Sequence, residues 1–274
     1  MRKAKDYFFQ SLLWLSAIIT IATLCIIVGF IFYKGIHLIN LDFIFGDYSP
    51  SGGGGILPMI VTTIYTIVIS LLIATPIGIL AAVYLQEYAK QGRLIRIIRF
   101  ATESLTGIPS IIYGLFGAVF FVTVLKMGMS IIAASLTLTI IVLPVIIRTT
   151  EEALKTVPLT YREGSLALGT TKLQTLYKVI LPSAMPGILS GIILSIGRIV
   201  GESAAIFLTA GTVAAMPENI FSSARTLTVH SFLVTQEAGD IELAAAVGIV
   251  LIVIILILNL SATFISKKLN KADY

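Results

Sequence analysis

Six stretches of the chain are apolar for about the length a bilayer demands. They cover residues 12–33, 59–85, 108–125, 130–147, 185–210 and 244–265. Each reaches or approaches the roughly 20 residues that a spanning helix needs. The third and fourth are separated only by Lys126-Met127-Gly128-Met129, which predicts a tight helical hairpin. The fifth carries Arg198 and Glu202, so hydropathy alone supports it least. The pattern predicts an all-α integral membrane protein with six transmembrane helices.

Composition agrees. The 274 residues are 57% hydrophobic and only 12% charged, with a mean hydropathy of +1.01. A soluble domain carries about 25% charge. The net charge of +5 does not point to nucleic acid, because the basic residues are placed by topology. Fifteen of the nineteen Lys and Arg fall in the N-terminus, the loop after the second span, the loop after the fourth and the C-terminus. Alternation of that bias predicts a multi-pass protein of the cell membrane, with both termini cytoplasmic. The first apolar run is longer than the 7–15 residues of a signal core and no A-x-A site follows it, so it reads as a retained helix.

Several segments invite chemistry that the residues do not support. The Ser51-Gly52-Gly53-Gly54-Gly55 run lacks the Gly-Lys-Ser/Thr of a phosphate loop and leads into Ile56-Leu57-Pro58. It reads as a flexible entry to the second span. His37 and His230 are isolated in predicted outer loops and read as surface histidines. Cys25 is the only cysteine, which excludes an internal disulfide. No nucleophile–base pair or metal cluster is apparent, so the chain reads as neither an enzyme nor a cofactor carrier. Arg93, Arg96 and Arg99 recur at i, i+3. They suit an interfacial helix or topology charge alone, and the sequence leaves both readings open.

Two stretches remain informative. In the fifth span Gly187, Gly191, Ser195, Arg198, Glu202, Ala205 and Thr209 share one helical face. Arg198 and Glu202 stand one turn apart and are expected to pair. Ionisable groups at membrane depth face a bundle interior or an aqueous path. The face therefore reads as an anion station, with Gly197 and Gly201 giving room, or as a structural ion pair. The inner loop offers a helix with Thr160 as N-cap, Glu163 completing a capping box and Gly169 ending it. A second amphipathic helix through Leu173, Leu176, Tyr177 and Ile180 is then expected to stop at Pro182.

That loop carries a resemblance. Glu163-Gly164-Ser165, three residues, Gly169, nine residues, then Val179-Ile180-Leu181-Pro182 resembles the EAA loop of ABC importer permeases. The family form is Glu-Ala-Ala, three residues, Gly, nine residues, Ile, any residue, Leu-Pro. Gly164, Ser165 and Val179 depart from it. Gly107-Ile108-Pro109-Ser110-Ile111-Ile112-Tyr113-Gly114-Leu115-Phe116-Gly117 and Gly197-Arg198-Ile199-Val200-Gly201-Glu202-Ser203-Ala204 look like signatures of the phosphate permeases. So do Gly54-Gly55-Ile56-Leu57-Pro58 and Leu258-Asn259-Leu260. Chain length resembles the PstA-type subunit rather than the longer PstC-type.

The resemblance implies a type I ABC importer permease (MetI-like) fold. Residues 1–58 would form an added helix and outer loop. Residues 59–274 would form a five-helix core with its coupling loop at about 148–183. It implies a PstC-type sister permease as heterodimer partner, two cytoplasmic PstB-type ATPase subunits that hold Mg-ATP, and an extracytoplasmic PstS-type phosphate-binding protein. It assigns ATPase coupling to Glu163, Gly164, Ser165 and Gly169, and the phosphate path to Arg198 and Glu202. Another oxyanion, such as sulfate or molybdate, is the alternative substrate. An ion-coupled secondary carrier is the alternative class, since it too would suit an intramembrane Arg–Glu pair.

Overall fold

A computed structural model describes residues 2–49, 54–90 and 92–271, and every regular element among them is helical. Ser51, Gly52 and Gly53 of the glycine run lie outside the described residues. α1 (Arg2–Gly35) lies at the edge of the bundle, with most of its apolar side chains from Phe9 to Tyr33 exposed. Lipid tolerates no naked polar group. The hydroxyls of Ser16, Thr20 and Thr23 accordingly donate back to carbonyls of their own helix at 2.8–2.9 Å. α1 leans on α12 (Ile241–Lys271). The short α2 (Leu41–Phe45) is capped by Asn40, whose Oδ1 accepts from the Phe43 amide at 2.8 Å.

α3 (Leu57–Val83) opens with Pro58 in its first turn, where a missing N–H costs nothing. It ends in a π turn over Tyr84–Tyr88. α6 (Ile131–Thr156) starts on Ser130, whose Oγ accepts from the Ala133 amide at 3.3 Å. These two helices and α9 (Leu181–Gly201) enclose the main core, with Ile67, Leu138, Val142, Ile146, Ile199 and Val200 at its centre. Hydroxyls join the first two: Ser70 Oγ donates to the Ser135 carbonyl at 3.1 Å, and Thr139 Oγ1 to the Ser70 carbonyl at 3.3 Å. Small residues allow α6 and α9 to close up, with Gly187 against Ala153 and Gly191 against Thr149.

The structure alters several sequence expectations. The third apolar run is no straight span. α5 (Ser110–Gly117) and its π extension Ala118–Val124 have eight and seven residues, which at ~1.5 Å each fall short of a ~30 Å hydrocarbon core. α4 (Arg93–Thr106) precedes them at a 99° bend, so among the described residues five helices are long and apolar enough to cross alone, and six only if this bent pair is one span. Lying across its neighbour, α4 favours the interfacial reading of the arginine repeat. Arg93 and Arg96 are exposed. Arg99 instead turns inward, Nε at 3.3 Å from Glu151 Oε1.

Pro182 does not stop the second inner helix. α8 (Lys172–Thr175) runs through a π turn (Leu176–Ile180) directly into α9. The Leu181 amide reaches back five residues to Leu176, and the widened turn accommodates the ring that an unbroken α-helix would clash with. Thr160 is not an N-cap either: α7 (Leu159–Ala167) begins after Pro158 without a side-chain cap. The capping box lies on α8, between Thr171 and Gln174.

Candidate functional site

The fifth apolar run breaks where its charges are. α9 ends at Gly201, Glu202 takes an extended conformation (φ −80°, ψ 124°), and a short α10 (Ala204–Thr209) follows. Glycine 201 weakens the helix, and Glu202 offers the next turn an acceptor. Its Oε1 accepts from the Ala205 amide at 3.1 Å, and the residue is 8% exposed. The expected Arg198–Glu202 pair is therefore not formed. One-turn pairing needs both residues in a helix, and Glu202 has left it. The free carbonyl of Val200 is taken up by the Thr228 hydroxyl.

Arg198 sits in the last turn of α9, where a cation suits the helix dipole. It is half-buried, and no carboxylate pairs with it among the described residues. Gly197 and Gly201 beside it face open space. The nearby aromatic is Tyr113 of α5, within electrostatic reach of the guanidinium. Its hydroxyl donates to the Leu105 carbonyl at 2.7 Å, tying α5 to the end of α4. The next residue, Gly114, is pressed onto α10: a Cβ there would lie 2.8 Å from Ala205 Cα. A half-buried cation without a counter-ion, beside a helix break and a bent helix pair, can receive an anion by forked hydrogen bonds. Nothing in the sequence marks Tyr113 as a single residue. Its position in the Gly107–Gly117 segment was the available signal.

The second candidate lies at the bundle's other end. α7 leaves Leu159, Leu166 and Leu168 uncovered, and Glu163 and Gly164 are exposed, with open space where a Cβ on Gly164 would stand. Gly169 ends the helix at φ +82°, a left-handed conformation that glycine adopts without strain. The inward side is polar and fully engaged. The hydroxyls of Ser165, Thr170 and Thr175 form a triangle with edges of 2.8, 3.0 and 2.9 Å. Glu163, Gly164 and Gly169 thus share an outward face, while Ser165 braces it from behind. The pair Arg162–Glu87, with Nη1 at 2.6 Å from Oε1, was not singled out in the sequence, since its partners are far apart along the chain.

The isolated histidines are not surface residues of one kind. His37 pairs with Glu242 at 3.3 Å. His230, on α11 (Leu227–Leu233), is buried edge-on to the Tyr48 ring, whose face carries Arg225 at 4.7 Å. Burial first, and the Arg225 charge second, hold its pKa down to about 4. Among the described residues no cluster of three or more potential ligands could hold a metal ion.

Comparison with known proteins places these features in context. Residues 74–271 match the family described as "Binding-protein-dependent transport system inner membrane component". The chain is 36% identical to the probable ABC transporter permease protein YqgI of Bacillus subtilis, over 98% of this chain and 99% of that one. It is 37% identical to the phosphate transport system permease protein PstA of Pasteurella multocida, over 76% of this chain and 75% of the relative. PstA 1 of Mycobacterium tuberculosis is 34% identical, over 77% and 70%. Solved structures share the fold at lower identity. A bacterial alginate ABC transporter superposes at TM-score 0.71 with 16% identity, over 97% of this chain and 96% of that one. The inward-facing MetNI methionine ABC transporter gives 0.60 with 21% identity, over 78% and 94%.

Proposed function

The chain belongs to the family of inner membrane components of binding-protein-dependent transport systems, and from that premise we propose that it is the permease subunit of an ATP-driven phosphate importer. As a multi-pass membrane subunit it contributes the path, and a partner ATPase performs hydrolysis. Its phosphate specificity is supported by the two PstA relatives, which align over two thirds or more of both chains.

The observation that carries the mechanism is the guanidinium of Arg198 at the broken helix end, which no carboxylate pairs with among the described residues. An oxyanion must shed water to cross, and a guanidinium replaces that water with oriented donors. With Glu202 engaged on the Ala205 amide, Arg198 is free to meet the anion. A PstC-type sister permease would complete the path. Two PstB-type ATPase subunits, holding Mg-ATP, would receive the exposed face around Glu163, Gly164 and Gly169, braced by Ser165. A PstS-type binding protein would deliver phosphate outside, with both termini cytoplasmic. ATP closes the ATPase pair, α7 and α8 move with it, and the spans tilt to open outward. Hydrolysis resets the inward state.

The test is uptake of labelled phosphate by the complex in liposomes, with excess sulfate or unlabelled phosphate as competitor. Inhibition by phosphate alone is expected, and inhibition by sulfate but not phosphate would reassign the substrate. Uptake driven by an ion gradient without ATP would reassign the class.

A further inference from the structure

The inner end of α3 widens into the π turn Tyr84–Tyr88, and three cations from three other elements converge on those five residues. Arg99 of α4 donates from Nη2 to the Leu85 carbonyl at 3.3 Å. Arg162 of α7 brings Nη1 to 2.6 Å from Glu87 Oε1. Lys172 of α8 donates to the Glu87 carbonyl and holds its ammonium 4.7 Å above the Tyr88 ring. A π turn departs from the regular backbone ladder and recurs at functional positions. Here its carbonyls accept from side chains.

The Arg162–Glu87 contact is close but not an aligned hydrogen bond, since Glu87 Oε1 and Arg162 Nε have no hydrogen-bond partner among the described residues. Its strength is Coulombic. The side chains are 19% and 7% exposed, so solvent screens them weakly. Arg162 also donates from Nη2 to the Leu154 carbonyl of α6 at 2.9 Å. Arg99 in turn holds Glu151 of α6 as well as Leu85. The Val83, Leu154, Val157, Leu176 and Ile180 side chains pack around the junction.

We infer that this π turn is the joint through which the inner helices act on the spans, with Arg162 and Glu87 as its positioning residues. The inference rests on the reading of α7 and α8 as the coupling helices. A displacement of α7 reaches α3 through the buried ion pair. It reaches α4 through the two-sided grip of Arg99. The 99° bend then carries it to α5, where Gly114 packs on Ala205 of α10 and Tyr113 lies within electrostatic reach of Arg198. Spatial continuity is a route, and coupling along it is a separate, measurable quantity.

The measurement is phosphate imported per ATP hydrolysed by the complete transporter in liposomes. Glu87→Gln and Arg162→Gln are each expected to lower that ratio by about tenfold or more, with ATP hydrolysis per complex within about threefold of the parent. A purely structural pair would lower both activities together with the amount of assembled complex. Exchanging the charges, Glu87→Arg with Arg162→Glu, should recover at least about a third of the parent ratio, because each buried charge regains a partner. Ratios unchanged in both single variants, or no recovery in the exchange, overturn the joint. A second arm needs neither substrate nor ATPase: hydrogen exchange of the full chain in lipid nanodiscs. Arg162→Gln, which removes the charge, should speed amide exchange across Tyr84–Tyr88 by about fivefold. Unchanged exchange overturns the joint whatever is transported. Absence of ATP-driven phosphate uptake by the parent complex would instead overturn the functional reading, and the exchange arm would still decide the joint.

Discussion

The carboxylate of Glu202 accepts a hydrogen bond from the backbone amide of Ala205 at 3.1 Å, across the break that separates α9 from α10. This makes Glu202 a cap whose charge suits a helix N-terminus. Glu202→Gln retains an acceptor and should unfold within a degree or so of the parent, whereas Glu202→Ala should lose about 1 kcal/mol. Thermal unfolding in nanodiscs reads the difference. If Glu202 served as the counter-ion of Arg198, Gln and Ala would destabilise alike.

Arg198 has no counter-ion among the described residues, so its substitution leaves no orphaned carboxylate behind. Arg198→Lys keeps the charge but loses the planar fork. Phosphate uptake should fall by about tenfold or more while the assembled complex is recovered in normal yield. Uptake near the parent level would show that a point charge suffices. Failure to assemble would return Arg198 to a packing role.

Gly114 of α5 and Ala205 of α10 are held together by the absence of a side chain. A methyl at position 114 would lie 2.8 Å from Ala205 Cα, a backbone atom that cannot swing away. Gly114→Ala should therefore cost about 1–3 kcal/mol through overpacking. Because α10 must shift, uptake should fall more than the yield of folded protein. Gly197→Ala, where a methyl meets nothing within 4 Å, is the matched control and should be neutral or stabilise the helix by up to about 1 kcal/mol.

The sequence carried the spans well where apolar length alone decides, as in α1, α3, α6 and α12. It misplaced the ends of helices wherever backbone geometry answered to a local partner. Glu202 looked helical because its neighbours keep the 3.6-residue period, but its side chain is consumed by the Ala205 amide. Pro182 looked like a stop because a π turn leaves no mark in hydropathy. The bend between Thr106 and Ser110 lies in a run whose apolar character does not change. His230 looked exposed because its burial depends on Tyr48 and Arg225, which arrive from other segments. The shared exposure of Glu163, Gly164 and Gly169 was legible because the three lie close together in one loop.

Ser165 occupies a place where the resembled motif has alanine, and its hydroxyl joins Thr170 and Thr175 behind the exposed face. Ser165→Ala restores the usual residue yet removes two edges of the triangle, leaving only the edge between Thr170 and the 2% exposed Thr175. The substitution should cost about 1 kcal/mol and loosen the turn at Gly169. Amide exchange over residues 165–175 should rise, with the spans unaffected. Protection equal to the parent would mean that the triangle adds nothing to the brace.

His230 supplies a dependence on pH. α11 is not among the membrane-crossing helices, and the imidazole is 1% exposed. Its folded pKa is about 4 against an ordinary 6.5, because burial and then Arg225 oppose the charged form. Between those values the unfolded chain binds a proton that the folded chain refuses. Stability should thus be flat above the ordinary value, fall as pH drops through the window, and level off below it. The total loss is at most about 3 kcal/mol. Arg225→Gln removes one opposing charge, so the folded pKa should rise and the stability lost through this histidine should shrink. His230→Gln should abolish this component. Thermal unfolding of the nanodisc-embedded chain from about pH 7 to about pH 4 reads all three proteins. Identical slopes for the parent and His230→Gln would mean that the acid sensitivity arises at other carboxylates.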